Sequence, residues 1–464
     1  MPPKFGTSGL RGLVTELTRD LVQDYTRAFL AACPNGGAVF VGRDLRPSSP
    51  QIADWVMQAI EATGVPAIDC GALPTPALAL AALEAGQAAV MVTGSHIPAD
   101  RNGLKFYTPK GEILKDDEAR ILSGLGAAHA QASAPERRSV DAVAGYKARY
   151  TDAFGASALH GLRIGVYQHS SVARDIMMDI FAGLGAETVA LARSDTFIPV
   201  DTEALDTDTR QMLAGWCRDH GLDAVVSTDG DADRPMVTDA TGRIVPGDVL
   251  GALTAQTLGA KVICTPVSSN SMVQNMPEFD TVTLTRIGSP YVIAAMEQAQ
   301  VADPAVQAVG YEANGGFLLG YAAQGPAGPL SPLMTRDCLL PIVTPLYAAR
   351  AASCGLADLV AGLPPVFTAA DRITEVPTDW SQTFIKDLTD SADRRASFFA
   401  KMGAETRMDT TDGMRVTFEA GEIVHLRPSG NAPEFRCYAE AGSSDRATEL
   451  VVRFLSKVRE TLSA

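Results

Sequence analysis

Three groups of residues in this chain have types and spacings that could do chemistry. The first is Met91-Val-Thr-Gly-Ser-His-Ile-Pro-Ala-Asp-Arg-Asn-Gly-Leu-Lys-Phe106, where His96 follows Ser95 and Lys105 lies ten residues beyond it. Gly94, Pro98 and the Asn102-Gly103 pair are turn formers, so the segment reads as a shaped loop leaving the apolar strand 88–92. A small hydroxyl nucleophile among cations suits phosphoryl chemistry, which depends on positioning and charge neutralisation. The second group is Asp229-Gly-Asp-Ala-Asp-Arg234. In an extended stretch alternate side chains share one face, so Asp229, Asp231 and Asp233 can converge on one hard cation. Oxygen-only ligation favours Mg²⁺ over zinc. The third is Arg427-Pro-Ser-Gly-Asn431, which offers a guanidinium, the Ser429 hydroxyl, backbone amides and a side-chain amide over five residues. Such a loop is a good phosphate cradle. Each group alone has a plainer reading: a polar surface loop, a solvated acidic turn, a surface arginine. Their occurrence in one chain weighs against the plainer readings.

With Gly6-Thr-Ser-Gly-Leu-Arg11 before them and Gly310-Tyr-Glu-Ala-Asn-Gly-Gly316 between, these segments resemble the α-D-phosphohexomutase family, which includes phosphomannomutases and phosphoglucomutases. Ordered motifs are far more specific than any one of them. The resemblance implies that Ser95 carries a phosphoryl group. It implies that Asp229, Asp231 and Asp233 bind Mg²⁺, with phosphorylated Ser95 supplying a further oxygen. Arg11 and Arg234 are then active-site arginines, whose planar forks suit phosphate oxygens. His96 and Lys105 would lie beside the phosphoserine. Lys105 would serve as general base towards the accepting hydroxyl, or otherwise as a charge clamp. Glu312 and Asn314 would read sugar hydroxyls. Arg286 and Gly288, in Thr285-Arg-Ile-Gly-Ser289, would contact substrate, and Arg427, Ser429, Gly430 and Asn431 would grip its phosphate.

The activity so implied is interconversion of hexose 6-phosphate and hexose 1-phosphate through a phosphoserine, with hexose 1,6-bisphosphate as intermediate and activator. Mannose and glucose phosphates lead as substrates, with phosphomannomutase first and phosphoglucosamine mutase as the alternative within the family. From other classes come a Mg²⁺-dependent sugar-phosphate phosphohydrolase and a non-catalytic sugar-phosphate sensor. Three positions depart from the family pattern: Ile97 replaces an asparagine, Gly316 replaces the histidine of many bacterial relatives, and Asn431 replaces a threonine.

These groups need elements to position them. Short apolar strands alternate with amphipathic helices, which is an α/β grammar. Strands are expected at 38–41, 68–70 and 88–92, with helices at 49–63 and 77–85. The grammar restarts with a strand at 163–166, a helix at 172–184 and a strand at 223–226 leading into Asp229. It restarts again at 261–264, 290–300 and 308–309, leading into the Glu312 segment. In each unit the polar motif follows a strand's C-terminal end, where parallel sheets place ligands. Strands at 370–377, 413–418 and 421–426 with a helix at 444–461 suggest a smaller α+β unit. The fold class is therefore α/β. The resemblance implies four domains around a central cleft, three of them related, which we set at 1–150, 151–255, 256–368 and 369–464.

The bulk composition agrees. A chain of 464 residues exceeds one ordinary core. Hydrophobic content of 46% and charged content of 20% exclude a disordered chain. A formal charge of −15 argues against a nucleic-acid partner and requires locally cationic lining for an anionic substrate. No apolar run reaches membrane-spanning length and no secretory signal is visible at Met1-Pro-Pro-Lys-Phe-Gly6. The seven cysteines are scattered without CxxC spacing, so reduced thiols and a cytoplasmic location are expected. The expected partners are small hexose phosphates, with no membrane.

Overall fold

A computed structural model describes residues 3–6, 9–128, 132, 137–429 and 433–463. The first unit contains strands β1 (Lys4–Phe5), β2 (Leu10–Leu13), β3 (Val39–Arg43), β4 (Ala67–Ala72), β5 (Ala88–Val92), β6 (Arg101–Thr108), β7 (Gly111–Glu112) and β8 (Arg138–Ser139). Its helices are α1 (Arg19–Ala32), α2 (Ser49–Glu61), α3 (Thr75–Glu84) and α4 (Lys115–Ser123). The sheet runs β1-β2-β6-β5-β3-β4-β8. Strands β3, β4 and β5 are parallel, whereas β6 is antiparallel to both β5 and β2.

Helix α5 (Val143–Phe154) leads to the second unit: β9 (Arg163–Tyr167), α6 (Arg174–Gly183), β10 (Glu187–Leu191), α7 (Thr207–His220), β11 (Ala224–Thr228), β12 (Pro235–Thr238) and β13 (Ile244–Val245). The third holds α8 (Gly247–Thr257), β14 (Val262–Pro266), β15 (Thr281–Thr285), α9 (Ser289–Ala302), β16 (Ala308–Tyr311) and β17 (Phe317–Leu319). It continues with a two-stranded ribbon of β18 (Ala323–Gln324) and β19 (Pro329–Leu330), then β20 (Leu333–Asp337), α10 (Leu340–Ala351) and α11 (Leu356–Ala361). The fourth comprises β21 (Phe367–Thr374), α12 (Thr378–Asp390), α13 (Ala392–Phe398), β22 (Glu405–Asp409), β23 (Met414–Phe418), β24 (Ile423–Pro428), β25 (Glu434–Ala441) and α14 (Ser444–Ser463).

The repeat expected from pattern is visible in strand order. The paths β4-β3-β5-β6-β2, β10-β9-β11-β12-β13 and β15-β14-β16-β17-β20 have the same sequence of directions. In each, two parallel pairs flank the first strand and two antiparallel pairings follow. The Ser95, Asp229 and Glu312 segments occupy the same place, the connection from the third parallel strand to its antiparallel neighbour. The fourth sheet is antiparallel throughout, in the order β21-β25-β24-β23-β22.

Two expectations change. Residues 91–106 are not loop throughout, because β6 begins at Arg101 and carries Lys105 within a buried strand. Asn102-Gly103 reads locally as a turn, but pairing with β2, and the Thr93 amide donating to Gly103 O at 3.0 Å, hold it extended. The divisions set at 255/256 and 368/369 fall inside α8 and β21. Among the described residues, no helix is long and apolar enough to cross a membrane.

Candidate active site

Strand β5 is buried along its whole length, which fixes where its C-terminal end releases the chain. Three residues later Ser95 lies 1% exposed with φ 55°, a left-handed conformation unusual for a residue with a side chain. Its Oγ donates to Asp229 Oδ2 at 2.5 Å, and its amide donates to Thr93 Oγ1 at 2.7 Å. His96 Nδ1 lies 3.4 Å from the same Oγ. Burial first, then the charges of Arg234 and Arg11, push the His96 imidazole well below its ordinary range, so it is neutral at neutral pH.

The Asp229 segment is a compact turn, not the extended stretch expected. Asp229 and Arg234 close it through an amide-to-carbonyl bond of 3.2 Å, and Ala232 adopts φ 57°. Curling, instead of alternation, brings the three carboxylates together, with one oxygen from each within 4.8 Å of the others. All three side chains are buried. Lys105 Nζ donates to Asp231 Oδ2 and Asp233 Oδ2, both at 2.6 Å. Thr75, at the start of α3, donates its hydroxyl to Asp231 Oδ2 at 2.8 Å. Arg234 Nε stands 3.7 Å from Asp233 and 4.0 Å from Asp229.

The carboxyls share charge unequally. Burial, then Asp231 and Asp233, push Asp229 well above the usual carboxylate range. Burial and Asp233 also push Asp231 up, but Lys105 together with the Thr75 hydroxyl outweighs them and its net shift is downward. Burial opposes ionisation of Asp233 too, yet Arg336, Lys105 and Arg234 hold it below the ordinary range. Asp231 Oδ1 and Asp233 Oδ1 are buried with no hydrogen-bond partner among the described residues. Asp233 Oδ1 has Arg234 Nε 3.7 Å away, whereas Asp231 Oδ1 is bare, and a buried anionic oxygen without a partner calls for a cation. Three carboxylates with hard oxygen donors fit one divalent ion of the Mg²⁺ type.

Arg336, on β20, was not anticipated. It bonds Asp233 Oδ2 at 2.7 Å and Glu312 Oε2 at 3.2 Å, tying the carboxylate turn to the Glu312 segment. The available signal was an Arg-Asp pair inside a stretch from Leu333 to Leu340 that is otherwise apolar except for Thr335. Arg11 joins this cationic group. Burial, then repulsion from Arg234 and Arg336, pushes its guanidinium down to about 10. Thr7 and Ser8 of its motif lie outside the described residues.

Glu312 and Asn314 are both buried within a tight turn. Asn314 Oδ1 accepts from the Gly316 amide at 3.0 Å, so this side chain also holds the turn. Arg286 Nε donates to Thr411 O of the fourth unit at 3.1 Å, and Gly288 precedes α9. Arg427 Nε donates to Asp412 Oδ1 at 3.1 Å, while Asp412 Oδ2 accepts the Ile287 amide at 3.0 Å. Ser429 is buried and its amide donates to Glu434 O at 2.8 Å. Gly430 and Asn431 lie outside the described residues.

Repeated α/β units whose corresponding loops meet at one serine and three carboxylates define a multidomain architecture suited to phosphate chemistry. Residues 2–131 match the description "Phosphoglucomutase/phosphomannomutase, alpha/beta/alpha domain I", 142–242 match its domain II, and 383–457 match its C-terminal domain. A phosphomannomutase of Sinorhizobium fredii is 46% identical over all of both chains. One of Salmonella muenchen is 41% identical over 99% of this chain and 96% of its own. A solved phosphoglucomutase/phosphomannomutase family protein of Burkholderia thailandensis superposes with a TM-score of 0.76 at 21% identity, covering 98% of this chain and 96% of that one. The chain belongs to the phosphoglucomutase/phosphomannomutase family.

Proposed function

We propose that this protein is a phosphomannomutase, interconverting mannose 6-phosphate and mannose 1-phosphate. The observation that carries the reading is the Ser95 hydroxyl, donating at 2.5 Å into a buried cluster of three carboxylates. The two relatives more than 40% identical over nearly the whole chain support the choice of sugar.

In this reading Ser95 carries the phosphoryl group. The group passes to the free sugar hydroxyl: a phosphorus–oxygen bond forms there as the bond to Oγ breaks, the hydroxyl's proton ends on the released Ser95 Oγ, and a hexose 1,6-bisphosphate results. The bisphosphate reorients and returns its other phosphoryl group to Ser95. Asp229, Asp231 and Asp233 would hold Mg²⁺, which when bound neutralises charge on the transferring group. Arg11 and Arg234 steady phosphate oxygens. Lys105, bonded to two of the carboxylates, acts as a charge clamp; a base role requires release from those contacts. Glu312, oriented by Arg336, reads adjacent hydroxyls, and Arg427 with Ser429 to Asn431 grips the phosphate that is not transferred. The seven cysteines are free thiols, which suits a cytoplasmic setting.

The test supplies the Mg²⁺-loaded protein with the 1-phosphates of mannose, glucose and glucosamine in turn. Formation of mannose 6-phosphate with the highest kcat/KM is expected, together with phosphate on Ser95 by intact mass. Net release of inorganic phosphate would instead indicate a phosphohydrolase. A preference for glucosamine 1-phosphate would move the chain to the other branch of the family.

A further inference from the structure

We propose that Arg46 is a positioning residue for phosphoryl transfer: through the backbone, it sets the conformation in which Ser95 reacts. Arg46 follows β3 and is 1% exposed, although guanidinium groups are rarely buried so fully. All five of its N–H donors are used. Nε donates to Asp44 Oδ2 at 3.0 Å. Nη1 donates to Pro98 O at 2.6 Å and Arg101 O at 3.1 Å. Nη2 donates to Ser95 O at 2.8 Å and Ile97 O at 2.6 Å. One guanidinium therefore gathers three carbonyls of the connection between β5 and β6 and that of Arg101, where β6 begins. Lysine could not, because three donors on a flexible stem cannot match a planar fork of five.

The same ion pair also reaches the amide of Ser95. Asp44 Oδ2 accepts from Thr93 Oγ1 at 2.8 Å, and that hydroxyl accepts from the Ser95 amide at 2.7 Å. Both backbone polar groups of Ser95 are thus held from Asp44 and Arg46. A left-handed φ of 55° on a residue with a Cβ is strained and persists only where its surroundings fix it. Space is matched as closely: a Cβ on Gly94 would stand 2.6 Å from Arg46 Cζ. From the second unit, the Phe197 ring covers the guanidinium at 4.2 Å. Among the described contacts Arg46 does not touch Ser95 Oγ or the three carboxylates, so it acts through Ser95 and not on substrate.

The proposal rests on Ser95 being the phosphoryl carrier, and its test separates the two ideas. The full-length chain is prepared as wild type, Arg46→Lys and Thr93→Val, the last removing only the hydroxyl between Asp44 and the Ser95 amide. Mutase kcat and KM are measured with mannose 1-phosphate, folding by thermal midpoint, and amide exchange across residues 94–101 by mass spectrometry. Displacing a reacting group by about 1 Å can cost 100-fold in rate. Arg46→Lys should therefore lose about 100-fold in kcat and Thr93→Val about 10-fold, with KM within about two-fold of wild type. Exchange should accelerate in the 94–101 segment and stay unchanged in the other sheets. Wild-type kcat in Thr93→Val, or a raised KM with kcat intact, overturns the proposal. So does wild-type exchange in the loop of either variant. If Arg46→Lys does not fold, Thr93→Val decides alone. Absence of mutase activity or of Ser95 phosphate in the wild type sinks the functional reading, and the exchange result then still decides whether Arg46 holds the loop.

Discussion

Asp231 meets Lys105 and Thr75 through Oδ2 and leaves Oδ1 bare. The bare oxygen is where a cation gains most from the site, because nothing in the described protein competes for it. Asp231→Asn replaces an anion by a neutral amide and removes one of three charges. The Mg²⁺ concentration for half-maximal activity should rise at least roughly 10- to 100-fold, the range seen when even outer-shell support of a metal is lost. A metal titration after chelation checks this; an unchanged requirement contradicts it. Arg427 is held differently, by Asp412, whose other oxygen takes the Ile287 amide. In the proposed reading its guanidinium is therefore aimed before substrate arrives. Arg427→Ala should weaken sugar-phosphate binding by roughly 1.5–3 kcal/mol, the scale of a hydrogen bond to a charged group. The proposed reaction requires substrate to bind in two orientations, so calorimetry should show the loss with both the 1-phosphate and the 6-phosphate. Loss with only one isomer breaks the shared-grip idea.

At the scale of elements, the three related sheets place their chemistry by one rule. Each third parallel strand ends at the centre of its sheet and returns through an antiparallel neighbour, so the connection projects from a buried edge. The strands feeding these connections, 88–92, 224–228 and 308–311, were legible because continuous apolar runs ending in Gly- and Asp-rich segments leave few alternatives. Strand β6 was not, because Asn102-Gly103 mimics a turn, and only pairing with β2 and β5 overrides that preference. Serine, carboxylates and glutamate were readable from motif spacing. Arg46 was not, because an arginine beside an aspartate reads as a surface pair, and the four carbonyls it gathers lie about 50 residues further on; Arg336 had only the weak signal of a charged pair in a mostly apolar stretch, and its partners Asp233 and Glu312 lie in other segments. The Glu312 turn shows how closely the units meet. Gly315 has φ +85°, and a Cβ there would lie 2.5 Å from Pro235 Cγ, at the start of the strand that leaves the carboxylate turn. Gly315→Ala combines left-handed strain with that clash. It should destabilise the protein by about 2 kcal/mol or more and raise KM as the Glu312 turn is pushed from its seat. Unchanged thermal midpoint and KM would show that the interface has slack.

At the scale of the molecule, apolar and polar joints divide the labour. One apolar cluster runs through the first three units, including Phe40, Tyr146, Ile164, Val226, Leu250 and Leu339. The fourth unit has its own cluster around Phe435 and Phe454. Polar contacts join it to the third: Glu440 accepts from both the hydroxyl and the amide of Ser271 while bonding Arg415 at 3.0 Å. Asp248 sits beneath this joint, accepting the Asn270 amide at 2.8 Å and the Val249 amide at 2.9 Å. Burial, reinforced by the negative charges of Glu440 and Glu203 and only partly offset by those two amides, raises its carboxyl to about 7. The sign of the pH effect follows. Between about pH 4 and 7 the unfolded chain has lost this proton while the folded protein keeps it, so folding takes up a proton and stability falls as pH rises. The contribution is complete below about pH 4, and is gone above about pH 7. At about 1.4 kcal/mol per unit its full span is on the order of 4 kcal/mol. Asp248→Asn cannot titrate, and its amide nitrogen must face one of the two backbone donors. The variant should therefore unfold at a lower temperature than wild type at pH 5, with the gap narrowing by pH 8 as the wild type loses its own contribution. Scanning calorimetry of both proteins at the two pH values measures this, and an equal gap at both would show that Asp248 titrates as an ordinary carboxylate.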